Sequence, residues 1–171
     1  MPYSVYHAMA WVLLLLSISR RGKRTVFTVL GEGNSMHFVI PSNVTFVRRT
    51  IQAAEEFAQA RGIKAAPKTS VVLRELLINA IFHGNQNVAS RKVQGIIEHT
   101  GGRQFKIVVE DEGKGFDYAS LDTSLPDDPR HIRNRGYVLI RKVSSALEFN
   151  ECGNRITAVV DESENDFGIR E

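Results

Sequence analysis

Three short polar motifs, each set beside an apolar segment, constrain this 171-residue chain more than any other feature: Glu75…Asn79…His83-Gly84, then Asp111-Glu112-Gly113-Lys114-Gly115, then Asn134-Arg135-Gly136. If they act together, a helix, a strand and a second helix must meet at one cleft.

Residues 71–82 (VVLRELLINAIF) contain no Gly or Pro, and Pro67, Thr69 and Ser70 just ahead are typical of a helix start. At about 100° per residue, Leu73, Leu76, Leu77, Ala80 and Ile81 form an apolar stripe, while Glu75, Asn79 and His83 share a different face. A carboxylate and a carboxamide one turn apart can serve a single hard cation and its water. The Asn oxygen would be a direct ligand and the Glu a proton acceptor, a donor pair that suits magnesium held against phosphates. A solvated polar stripe leaves the same pattern, and a His near a helix C-terminus also complements the macrodipole.

Residues 104–110 (QFKIVVE) alternate Phe105, Ile107 and Val109 with polar or outward positions, which predicts a strand running into a glycine turn at Asp111. A carboxylate there can accept a hydrogen bond from an exocyclic amine such as the adenine N6, and Gly113 and Gly115 open the backbone to a ligand. A plain turn has the same composition. Asn134-Arg135-Gly136 precedes a helix-like run over 137–147, and free N–H groups at such a start favour an anion. Between the last two motifs, residues 118–133 carry Pro126, Pro129 and three aspartates and end on Arg130, His131 and Arg133, a composition that suits a mobile flap.

These motifs resemble the GHKL ATPase superfamily, which includes gyrase B, a heat-shock chaperone ATPase and sensor histidine kinases. Within it they are most similar to the small bacterial anti-sigma-factor serine/threonine kinases of partner-switching modules. The resemblance spans about residues 36–160. The family's E-x-x-x-N-A-x-x-H-[GA] motif stands here as Glu75 to Gly84, and its D-x-G-x-G motif as Asp111 to Gly115, followed by Phe116-Asp117. The third is usually G-x-G; here its first position is Asn134, and Asn tolerates left-handed backbone better than other non-glycine residues.

The resemblance implies ATP and Mg2+ as cofactors, Glu75 as catalytic base and Asn79 as magnesium ligand. It further implies that His83, Asp111, Gly113, Gly115, Arg133, Arg135 and Gly136 hold the nucleotide, with Asp111 on the adenine. The activity implied is phosphoryl transfer from Mg·ATP to a serine or threonine of a small anti-sigma-factor antagonist, with sigma-factor binding as the regulatory output. Two other readings stay open: a non-catalytic, nucleotide-dependent regulatory binding module, and a detached histidine-kinase catalytic domain.

The remaining segments predict an α+β fold. Residues 36–41 read as a strand, Ser42-Asn43 as the cap of a helix that Gly62 stops, 93–100 with 104–110 as one hairpin, and 147–151 with 155–161 as another. Helices on one face of a mixed, mostly antiparallel sheet would make a two-layer α/β sandwich, the histidine kinase-like ATPase fold. The domain is expected at 25–161, between an apolar and basic N-terminal extension (1–24) and an acidic tail (162–171).

The extension holds Ala10-Trp-Val-Leu-Leu-Leu-Leu16 and then Arg20, Arg21, Lys23 and Arg24. That apolar run is short of the roughly 20 residues that cross a bilayer, and the charges sit on the wrong side for a signal peptide. It reads as a membrane-surface anchor, a segment packed on the domain or on a second subunit in a homodimer, or an extension upstream of a later start such as Met36. Residues 25–30 would then add an edge strand. The single cysteine, Cys152, excludes an internal disulfide and suits a reducing, cytoplasmic setting. A net charge of +3 with basic residues scattered along the chain gives no nucleic-acid surface.

Overall fold

The computed structural model describes residues 11–20, 23–118 and 135–163. One seven-stranded sheet is made of β1 (Trp11–Arg20), β2 (Lys23–Glu32), β3 (Ser35–Pro41), β4 (Lys92–Gly101), β5 (Gln104–Asp111), β6 (Ala146–Phe149) and β7 (Arg155–Asp161), with burial alternating residue by residue along β3, β4, β5 and β7. Their spatial order is β1-β2-β3-β4-β5-β7-β6. Every ladder among the described residues is antiparallel, so the mixed pairing expected for part of the sheet does not occur there. Connections through hairpins, or through helices that return the chain beside an oppositely running strand, leave no parallel neighbour.

One face of the sheet is apolar. Phe27 and Val29 of β2, Met36, Phe38 and Ile40 of β3, Val93 and Ile97 of β4, Phe105, Ile107 and Val109 of β5, and Ile156, Ala158 and Val160 of β7 are all buried. Three helices cover this face: α1 (Val47–Gln59), α2 (Pro67–Asn79) and α3 (Arg135–Val143). α2 lies between the other two and packs on β5 and β7, while α1 packs on β2 and β3. The result is a two-layer α+β sandwich.

The expected stripe on α2 is the centre of the core, since Leu73, Leu76, Leu77 and Ile81 are fully buried and Ala80 nearly so. α2 begins at Pro67, yet the preceding Ala66 offers no capping side chain. Its free amides are met instead from the far end of the chain, where the buried Glu162 accepts from Thr69 N–H at 2.6 Å and from Lys68 N–H at 3.4 Å. A carboxylate there satisfies orphan donors and the positive end of the helix dipole together. The helix that carries Glu75 and Asn79 is thereby anchored to the chain leaving β7.

Two boundaries differ from the expectation. The helix predicted over 137–147 ends at Val143, because Ser145 N–H bonds to Val159 O at 2.8 Å and draws the chain into β6, which takes Leu147. Residues 25–30 lie in β2, which is the second strand and not the edge: Trp11–Arg20, within the apolar extension, pairs outside it as β1. No helix among the described residues is long and apolar enough to cross a membrane.

Candidate functional site

α2 does not end as an ordinary helix. After Asn79 it widens into a π turn over Ala80–Gly84, closed by Asn85 N–H to Ala80 O at 2.7 Å. The chain then passes through Gln86 (φ 53°) and Asn87 (φ 56°), two consecutive non-glycine residues in left-handed backbone. The conformation costs about 1–2 kcal/mol at Gln86 and less at Asn87, since Asn tolerates it better, and the surrounding contacts must offset that cost. Asn87 N–H to Ile81 O at 2.7 Å and Val88 N–H to Asn85 O at 3.0 Å are two of them.

The widened turn brings Gly84 against the end of β5. A Cβ on Gly84 would overlap the Asp111 carboxyl, and one on Gly113 would overlap Gly84 O and lie 2.6 Å from Asp111 Oδ1. Gly115, at φ 73°, passes as closely over Cys152 O. The glycines of the second motif thus let one protein loop pack closely on another, and Gly115 also lines the cavity described below. Asp111 Oδ1 accepts from Gly113 N–H at 2.7 Å. Burial raises the Asp111 carboxyl above the ordinary range; the Gly113 N–H opposes this, Glu110 adds to it and Arg91 opposes it.

The third motif closes the arrangement. α3 starts beside α2 so that a Cβ on Gly136 would lie 2.9 Å from Glu75 Oε2 and 3.6 Å from both amide atoms of Asn79. Next to it Tyr137 is buried, with its ring centroid 5.7 Å from Phe116 and 6.2 Å from Phe149. Burial first, and then the charge of Asp111, push the Tyr137 phenol up to about 12, so it stays protonated.

Between these elements lies a cavity of about 480 Å3, lined by Asn79, His83, Gly84, Asp111, Gly115 and Gly136 together with Leu76, Val109, Phe116, Tyr137, Asn154 and Ile156. Its size suits a small-molecule ligand. Glu75 stands at its edge through the contact with Gly136, with 18% of its side chain exposed and Oε1 3.2 Å from Arg74 Nη1. Gly113 sits behind Asp111. Arg135 opens α3, while its side chain, Arg133, Asn134 and the expected flap from 119 onward lie outside the described residues. Tyr137, Phe149, Asn85 and Asn154 were not singled out from sequence. Only the connection between the strands expected at 147–151 and 155–161 contains one of them, Asn154, and it reads as a hairpin turn rather than as a cavity wall.

The profile of the histidine kinase-like ATPase domain matches residues 40–160, about 70% of the chain. The chain belongs to that family. No curated protein matches it. As a histidine kinase-like ATPase domain it is a nucleotide-binding domain for ATP.

Magnesium fits the donors that line the cavity. Asn79 is 7% exposed, and its Nδ2 is buried without a hydrogen-bond partner among the described residues. The side chain is thus not committed to the protein, and its oxygen and nitrogen exchange by a flip. No group of three or more His, Cys, Asp or Glu side chains could hold a metal among the described residues. A divalent ion at Asn79 would complete its shell from phosphate and water, as magnesium does in phosphoryl-transfer sites.

Proposed function

We propose that this histidine kinase-like ATPase domain is an ATP-dependent protein serine/threonine kinase of the anti-sigma-factor type, which phosphorylates a small antagonist protein and binds a sigma factor. The observation that carries the reading is the close approach of α3 to α2 at Gly136, where an added Cβ would lie 2.9 Å from Glu75 Oε2 and 3.6 Å from the amide atoms of Asn79. It sets the free N–H groups and positive dipole end of α3, a natural phosphate site, beside a carboxylate and an unpaired carboxamide.

ATP would lie with its adenine amine on the Asp111 carboxylate and its phosphates toward α3. The partner's hydroxyl oxygen attacks the γ-phosphorus, its proton passes to Glu75, and the bond to the β-phosphate oxygen breaks to release ADP. Asn79 would hold magnesium, which when bound neutralises phosphate charge. Positioning and charge neutralisation supply most of the catalysis in such transfers. Glu75 is open enough to meet a hydroxyl brought by another protein. The described histidines support a separate acceptor: His37 and His99 lie in strands and His83 in the π turn, so none stands on a helix as a phosphoacceptor would.

The test is transfer of label from radiolabelled ATP to a small antagonist protein, with wild type, Glu75→Gln and Asn79→Ala. Acid-stable label on the antagonist with wild type, lost in Glu75→Gln and no longer magnesium-dependent in Asn79→Ala, is the expected result. Equal transfer by Glu75→Gln would overturn the mechanism. Acid-labile label would assign a histidine acceptor instead, and nucleotide-sensitive partner binding with no transfer would make the domain a regulatory module.

A further inference from the structure

The peptide unit that follows Asp111 is held on both sides by asparagine side chains. Asn154 Nδ2 donates to the Asp111 carbonyl at 2.9 Å, and Asn85 Oδ1 accepts from the Glu112 N–H at 3.0 Å. That carbonyl and that N–H belong to one planar unit. It is the point where β5 leaves the sheet for the glycine loop, so no neighbouring strand continues the ladder there. The two side chains take the place of strand neighbours.

Neither asparagine is free to turn. Asn85 is fully buried, and its Nδ2 donates to Lys92 O at 2.8 Å. Asn154 Oδ1 accepts from Asn150 Nδ2 at 2.8 Å, and its own carbonyl accepts from the Asp111 N–H at 3.0 Å. Each amide is used at both its oxygen and its nitrogen, which fixes its orientation and stiffens the network. With this peptide plane clamped, the Asp111 carboxyl can be aimed only within the space that Gly84 and the Gly113 N–H leave.

We infer that Asn85 and Asn154 are specificity-determining positioning residues, which aim Asp111 so that the cavity selects an aminopurine nucleotide over an oxopurine one. The inference rests on the reading in which Asp111 receives the adenine amine. Asp111 is the one carboxylate among the described lining residues, so its direction decides whether an exocyclic group meets an acceptor. A site built to hydrogen-bond one group rejects an analogue that lacks it, provided the site's own group cannot turn away.

The experiment is calorimetric binding of Mg·ATP and Mg·ITP, in which a carbonyl replaces the adenine amine, to the full chain as wild type, Asn154→Ala and Asn85→Ala. Circular dichroism reports folding. The expected result is that wild type prefers ATP and that each substitution lowers the ratio of ITP to ATP dissociation constants by roughly tenfold, mainly by weakening ATP. Equal weakening of both nucleotides, with the ratio unchanged, would mean that the asparagines only stabilise the loop and would overturn the inference. If either alanine variant fails to fold, Asn154→Ser, a smaller change at the less buried position, is read by the same ratio. A folded wild type that binds neither nucleotide, or both equally, overturns the adenine reading itself, whatever the variants do.

Discussion

Gly136 of α3 lies directly against Glu75 of α2: a Cβ at position 136 would come within 2.9 Å of Glu75 Oε2. Two helices 61 positions apart at these residues therefore meet without a side chain between them. The absence of a side chain at position 136 leaves the Glu75 carboxylate room to stay where it is.

Gly136→Ala separates these effects. Alanine in a helix is worth about 0.5–1 kcal/mol over glycine, so stability should hold or rise slightly. The added methyl must push the flexible Glu75 carboxylate aside. The proposed phosphoryl transfer should fall by more than tenfold while the melting temperature does not drop, a pair of readings that assays and thermal scans on one preparation provide.

Asp111→Asn should trade affinity for stability. Burial raises the Asp111 pKa in the folded protein, so its ionised form is disfavoured by folding. The stability it contributes is present below the ordinary carboxylate range and lost as pH rises through the raised value. The asparagine variant should therefore melt higher than wild type at neutral pH and no higher in acid, while binding ATP more weakly. In wild type, ATP affinity should fall as pH drops through that raised value, because a protonated carboxyl is a poorer acceptor for the amine. Thermal scans and calorimetry across pH check both halves.

Leu76 and Leu77 are equally buried but face different surroundings. Both are fully inaccessible, yet only Leu76 also lines the cavity. Either truncation to alanine should cost about 2–5 kcal/mol in urea unfolding. Leu76→Ala should additionally weaken ATP binding under conditions where the protein is still folded, and Leu77→Ala should not.

Glu162 is the capping residue that α2 lacks in its own sequence. Glu162→Ala leaves the Lys68 and Thr69 amides without their acceptor and should lower stability by about 1–2 kcal/mol. Glu162→Gln retains an acceptor oxygen and should recover part of that loss. Equal loss in both variants would mean that the carboxylate charge, rather than the hydrogen bonds, holds the helix start.

Local pattern is what the amino-acid sequence determines here by itself. Alternation at Phe105, Ile107 and Val109 is enough for β5, Leu73, Leu76, Leu77 and Ile81 at helical spacing are enough for α2, and Gly101-Gly102 and Gly153 are enough for the two turns. The reason is that strand and helix periods are written within a few residues. Motif order likewise brought out Asn79, Asp111 and Gly136, which the fold places around one cavity.

Tertiary structure decided the contacts whose partners are far apart in the chain. Glu162 caps α2 across 93 and 94 positions, Asn154 holds Asp111 across 43, and Asn85 holds Glu112 across 27. An asparagine in a turn or a glutamate after a strand has the same local signature whether it is solvated or shared. The π turn that sets Gly84 against Asp111, and the close packing that Gly113 and Gly115 serve, arise the same way. They exist because α2, β5 and the β6–β7 turn are pressed together by one core, and that pressure is a property of the packed layers rather than of any segment within them.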